Sequence, residues 1–144
     1  MRRVRAMSLR LQLVKDDKIV FEMPLGIDEW DRSELEEEIN EIEEEINNVE
    51  ELHDLYSNKT RIKMLCEITL QSDPRFTDLM EQLDTNQKII YDSLQKMMKN
   101  DLVERVERHP RNVHYRLSQL GFASILMCAA TQRVMDFIEK EIEE

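Results

Sequence analysis

Apolar residues in this chain recur with two different periods, and the order in which the periods change outlines the architecture. Over residues 8–25 they alternate: Leu9, Leu11 and Leu13, then Ile19, Phe21 and Met23 beyond a polar Lys15-Asp16-Asp17-Lys18 turn. A period of two with a polar break predicts a β-hairpin with one buried face, closed by Pro24 and Gly26. A lone hairpin is marginal in water, so it needs something to pack on.

The spacing then lengthens. Asp28 or Asp31 can cap a helix, and beyond them Leu35, Ile39, Ile42, Ile46, Val49, His53 and Tyr56 fall at alternating steps of four and three. That is a heptad seam over three repeats, the pattern of one helix lying along another. Glu36, Glu43 and Glu50 flank it on one side and Glu38 and Glu45 on the other. Two parallel copies would set acid against acid, so the seam is expected to meet another helix of this chain or of a dimer mate.

From Ser57 the pattern becomes helix, helix, helix, strand, strand, helix. A first helix carries Ile62, Leu65, Cys66 and Thr69 inward and ends at Gln71-Ser72-Asp73-Pro74, because the residue before Pro resists the helical region. Thr77 caps a second helix with Leu79, Met80 and Leu83. A third runs from Asn86 to Asn100 with Ile89, Ile90, Leu94 and Met97 or Met98 inward. LVERV and VHYRL alternate as two strands around Glu107-Arg108-His109-Pro110-Arg111-Asn112, whose Pro and Asn suit a turn. Ser118 caps a last helix whose apolar set of Phe122, Ile125, Leu126, Ala129, Met135, Ile138 and Ile142 is wider than one hairpin needs. That surplus points to dimerisation, to covering the acidic seam, or to both. The fold class is mainly α with a small β component, a winged helix-turn-helix at 57–120. A hairpin arm (1–27) and an acidic helix (28–56) precede it, and a C-terminal helix (121–144) closes it.

The run from 57 to 125 resembles the ArsR and MarR type of prokaryotic winged-helix regulator, particularly its small archaeal members. Phe76-Thr77-Asp78-Leu79 looks like the opening of that family's second helix, and LDTNQKIIYDSLQKMMKNDLV (83–103) its turn, recognition helix and exit into the wing. Tyr115-Arg116-Leu117-Ser118 and Gly121 look like its return strand and last helix. The resemblance implies a homodimeric regulator that binds double-stranded DNA, with Asn86, Gln87, Lys88, Tyr91, Asp92 and Gln95 facing a major groove. The residues alone agree, since these polar side chains are left outside once Ile89, Ile90 and Leu94 turn inward. Arg108, His109, Arg111 and Asn112 would hold the wing to backbone or minor groove. Phe122, Ile125, Leu126, Ala129 and Ile138 would pair two copies. Where the family has Gly after the recognition helix this chain has Asp101, which also tolerates the left-handed conformation. Metal-sensing members carry paired Cys on the second helix; RFTDLMEQLD has none, which excludes thiolate sensing there.

Charge changes the picture only when it is mapped. The net charge of −11 speaks against a nucleic-acid partner. Yet residues 28–54 hold fourteen acids and one base, a net of −13, while residues 85–117 hold seven bases and four acids, a net of +3. A phosphate backbone samples local charge, because screening cuts off beyond about 8–10 Å. The opening MRRVRAM leads into alternation and not into an apolar run, so it is no secretory signal. Six basic side chains in the first 18 residues read as a solvated terminus, a small nucleic-acid- or lipid-facing arm being the alternative. No run approaches the roughly 20 apolar residues that span a bilayer. Cys66 and Cys128 lack CxxC spacing and fit buried, reduced thiols of a cytoplasmic protein. No metal site, cofactor motif or catalytic constellation stands out, so an enzyme is not expected. The leading function is DNA-binding regulation. The alternatives are a winged protein-interaction module using the acidic helix as partner surface, and an acidic helix that competes with DNA as an internal brake.

Overall fold

The computed structural model describes residues 8–143. Its contacts group the chain into two units, Met1–Val49 with Glu139–Glu144, and Glu50–Ile138. In order, the elements are β1 (Arg10–Lys15), β2 (Lys18–Pro24), a 3-10 turn (Ile27–Glu29), α1 (Arg32–Glu44), α2 (Ile46–Leu55) and α3 (Lys59–Gln71). They continue as α4 (Phe76–Gln82), α5 (Gln87–Lys99), β3 (Val103–His109), β4 (Asn112–Leu117) and α6 (Gln119–Glu143). The strands form two separate antiparallel pairs.

In the first unit β1 and β2 pair with Leu11 opposite Met23 and Leu13 opposite Phe21. Asp16 and Asp17 make the tight turn, both left-handed at φ 49° and 64°, which is the twist that joins two antiparallel strands without splaying them. Arg10 pairs with Glu22 at 2.7 Å, and Trp30 Nε1 donates to the Pro24 carbonyl at 2.8 Å. Of the expected buried face Leu9 and Met23 are half-buried, while Leu11, Leu13, Ile19 and Phe21 are between 43% and 54% exposed. A two-stranded sheet supplies no second layer of its own. The first seven residues, which hold part of the basic opening run, lie outside the described residues.

Asp31 caps α1, its carboxylate accepting from the Ser33 and Glu34 amides at 2.8 and 3.3 Å. The single helix expected over 28–56 is in fact interrupted at Glu45, whose ψ of 11° is not helical. Like charges at i,i+4, such as Glu37 with Glu41 and Glu41 with Glu45, repel there, and Asn47 and Asn48 are weak helix formers. Ile39, Ile42, Ile46 and Val49 of the seam are exposed, whereas Leu35 and Tyr56 at its two ends are half-buried.

The second unit is built on one cluster: Leu55, Met64, Leu65, Ile68, Leu79, Leu83, Ile90, Leu94, Met97, Leu102 and Val103. Asn58 caps α3 through the Thr60 and Arg61 amides. The buried stripe of α3 is Met64, Leu65 and Ile68, while Cys66 and Thr69 are exposed. The period was right and its phase was off by part of a turn, because Met64 fills the core where Cys66 was expected. α4 begins one residue before Thr77, with Arg75 at the cap position and the Asp78 carboxylate accepting from the Arg75 amide at 2.9 Å.

α5 ends in a left-handed turn at Asp101, φ 60°. The Asp101 amide reaches the Met98 carbonyl at 3.1 Å and the Leu102 amide reaches Met97 at 2.9 Å. This paired C-terminal closure turns Leu102 inward. Ser118 caps α6, its hydroxyl accepting from the Gly121 amide at 2.9 Å. Gly121 lies against the backbone of Leu102, and a Cβ there would overlap the Leu102 carbonyl oxygen. Gly121→Ala should therefore destabilise by about 1–3 kcal/mol and lower the melting temperature by roughly 5–10 °C. A thermal scan unchanged from wild type would show that this contact is slack.

Candidate nucleic-acid interface

α5 presents two chemically distinct faces. Ile90, Ser93, Leu94 and Met97 are buried, and the opposite side carries exposed Gln87, Lys88, Tyr91, Asp92, Gln95 and Lys99. Ile89, expected inward, is 41% exposed and adds an aliphatic group to the outer surface of the first turn. One residue's rotation, 100° on a helix, separates it from buried Ile90. Asn86 is exposed but partly engaged: its Oδ1 accepts from the Ile89 amide at 3.0 Å as the helix cap.

The wing is tighter than the sequence suggested. β3 continues through Glu107 and Arg108 to His109, and β4 starts at Asn112, leaving Pro110 and Arg111 as the tip. A bulge between Glu107 and His109 re-aims Arg108. Its guanidinium meets the Asp73 carboxylate at 3.1 Å, which ties the wing to the α3–α4 loop. Further ties join the same two segments. Arg75 donates to Asn112 Oδ1 at 2.9 Å, the His114 ring bridges the Asp73 carbonyl and Asn112 Oδ1 at 2.7 Å each, and the Tyr115 amide reaches the Pro74 carbonyl at 2.9 Å. Ser72 and Asp73, both left-handed, bend the α3–α4 loop into this clasp. His109 and Arg111 remain exposed.

Between α5 and the wing runs a groove of about 610 Å³ lined by Tyr91, Gln95, Met98, Lys99, Arg105 and Tyr115. Lys99, Arg105 and Tyr115 were not among the predicted site residues. Arg105 and Tyr115 are cross-strand partners, and strand alternation beside a helix end was the signal available. On another side of α5, Glu51, Asp54, Leu55, Lys96, Lys99 and Asn100 line a smaller cleft of about 260 Å³. There Lys96 Nζ meets Asp54 Oδ2 at 2.5 Å. The hydrogen bond from Lys96, then its charge, hold the Asp54 carboxyl below the ordinary aspartate range.

Ion pairing sorts the seven cations of 85–117. Lys96 meets Asp54, Arg105 meets Glu107, Arg108 meets Asp73 and Arg116 meets Glu104. Among the described residues Lys88, Lys99 and Arg111 form no ion pair. Those three are the charges most available to a phosphate.

On α6, Phe122 and Leu126 are 39% and 57% exposed and Ala129 is exposed, whereas Ile138 is half-buried and Ile125 packs on the core of its own chain. Ile125 is therefore a core residue first, because the first turns of α6 cover the unit. Met135 is exposed as well. Neither thiol is fully buried: Cys66 is exposed, and Cys128 is half-buried, burial pushing its thiol up. Among the described residues no three His, Cys, Asp or Glu side chains come together as a metal set, and no helix is long and apolar enough to cross a membrane.

Residues 55–144 match the family model described as HxlR-like helix-turn-helix. No curated protein matches the chain. Among solved structures, a protein assigned to the MarR family of transcriptional regulators from Enterococcus faecalis V583 is similar, at 24% identity and TM-score 0.53, over 68% of this chain and 92% of that one. The transcriptional repressor BigR from Xylella fastidiosa is similar at 20% identity and TM-score 0.50, over 64% and 94%. At these identities the likeness is one of fold, and it is the winged helix-turn-helix fold.

Two measurements check this geometry. Asp73→Ala should speed amide exchange in the Arg108–Asn112 segment and leave α5 protected; unchanged wing exchange would mean the clasp holds nothing. Because the native Asp54 carboxyl is depressed, the Lys96 pair contributes stability above the ordinary aspartate range and loses it as pH falls through the native value. Asp54→Asn should thus melt below wild type at pH 7, and the gap should close as pH falls through the native Asp54 value.

Proposed function

The chain belongs to the HxlR-like helix-turn-helix family, a family of transcriptional regulators and not of enzymes, and from that premise we propose that it acts as a homodimer on specific duplex sequences. In this reading α5 enters the major groove and the β3–β4 wing lies on the flanking backbone or minor groove. The observation that carries it is the outer face of α5, polar and exposed, with Lys88, Lys99 and Arg111 unpaired around it. Gln87 and Gln95 offer amides for adenine, Lys88 serves guanine or phosphate, and the Nδ2 side of Asn86 stays available beside its cap. Tyr91 and Arg111 position the protein, with His109 beside the wing tip. Ile89 supplies an apolar group suited to a thymine methyl. Asp92 is repelled by phosphate and accepts from cytosine.

Pairing of copies is assigned to the exposed apolar side of α6, Phe122, Leu126 and Ala129, with Ile138 at its margin. Two recognition helices would then read half-sites about 34–36 Å apart, one helical turn of DNA. The hairpin arm and acidic helix precede the segment that matches the family and form its appendage.

A labelled-duplex titration tests the reading. Six unpaired cations per dimer predict a plot of log affinity against log salt with slope of roughly −5. Lys88→Glu or Arg111→Glu should each weaken binding at least about tenfold and flatten that slope by about 2. A folded dimer that retards no duplex at low salt would instead favour a protein-interaction module with the acidic α1–α2 surface as its contact.

A further inference from the structure

Among the described residues, Lys96 is the one cation of α5 held by a group from outside the helix-turn-helix and wing. Its partner, Asp54, is the last acid of the acidic stretch and sits in the final turn of α2. The backbone at this point is anchored on several sides. Arg61 donates to the Asp54 carbonyl at 2.6 Å and to the Leu55 carbonyl at 3.0 Å, and the Ser57 hydroxyl donates to the Asp54 carbonyl at 2.8 Å. The Leu55 side chain is buried in the core. None of these anchors uses the Asp54 carboxylate, which is left pointed at Lys96.

We propose that Asp54 is a built-in competitor for DNA phosphate at Lys96, a stand-in anion that keeps one cation of the recognition helix out of the interface until DNA displaces it. The inference rests on the DNA-binding reading above and deepens it by naming a regulatory contact on the neighbouring side of the same helix, where Lys99 borders both the cleft and the groove. Both side chains are partly open to water, 39% exposed for Lys96 and 56% for Asp54. A pair so screened is weak, so a phosphate can exchange for the carboxylate. A lysine already neutralised by Asp54 brings no net charge to the duplex, so it releases little of the cation atmosphere condensed on the DNA. The acidic helix then brakes binding through a single atom contact, and its remaining glutamates need take no part. Because Asp54 rides on α2, a partner that turns the end of that helix would release Lys96.

The test uses the full chain and a duplex selected for tight binding to wild type. Asp54→Asn should bind roughly three- to tenfold tighter at about 100 mM salt, with a salt slope steeper by about 2 per dimer. Lys96→Gln should change little in wild type and should cancel the gain in the Asp54→Asn background. Glu51→Gln, a neighbouring acid in the same cleft, should leave the salt slope as it is. The fixed backbone bonds keep Asp54→Asn folded at the assay temperature despite its lower melting point; Asp54→Ser serves if its oligomeric state departs from wild type. Equal or weaker binding by a folded Asp54 variant overturns the proposal. So does a gain that survives Lys96→Gln, which would be a general field effect. If wild type itself binds no duplex, the function proposed above fails first and this contact with it.

Discussion

The burial of one stripe on α5 determines nearly everything else about the second unit. Ile90, Leu94 and Met97 are sealed into a cluster with Met64, Leu65 and Ile68 from α3 and Leu79 and Leu83 from α4. Fully burying an aliphatic side chain is worth about 1.5–3 kcal/mol, so rotating α5 by even one residue would forfeit several such contributions. The outward set of Gln87, Lys88, Tyr91 and Gln95 is therefore a by-product of the core. Tertiary packing aims those side chains, and no local feature of the polar face could hold it there.

Much of this was legible along the chain, and the failures have physical causes. Hairpin, three helices, wing and last helix follow from changes of period, and Asp101 took the left-handed turn that replaced Gly. Phase was harder to read than period. On α3, Met64 and Cys66 are both plausible core residues, and only the partner helices decide between them. Ile89 and Ile90 are adjacent and equally apolar, yet a 100° step puts one inside and one out. The interrupted acidic helix and the open hairpin face expose the other limit. Apolar patterning states what a segment would like to bury, and it is silent on whether its own chain supplies the cover.

Formal charge and available charge also part company. A count over 85–117 finds seven cations, but ion pairs with Asp54, Asp73, Glu104 and Glu107 leave three. Asp54 and Asp73 come from outside the counted window, so no local tally could include them. Arg108 shows the consequence. It is part of the clasp that carries the tip, with Asn112 and His114 completing the tie to the α3–α4 loop.

The missing side chain at Gly121 reaches further than its own contact. It lets α6 leave the core flush against the Leu102 backbone, and α6 is 25 residues long, about 37 Å at the helical rise. Such a rod is a lever. A tilt of about 5° at its root swings the far end by roughly 3 Å, close to the spacing of one base pair. The take-off angle imposed by one absent methyl thus becomes a ruler: if α6 joins two copies, it helps set how far apart their reading heads stand.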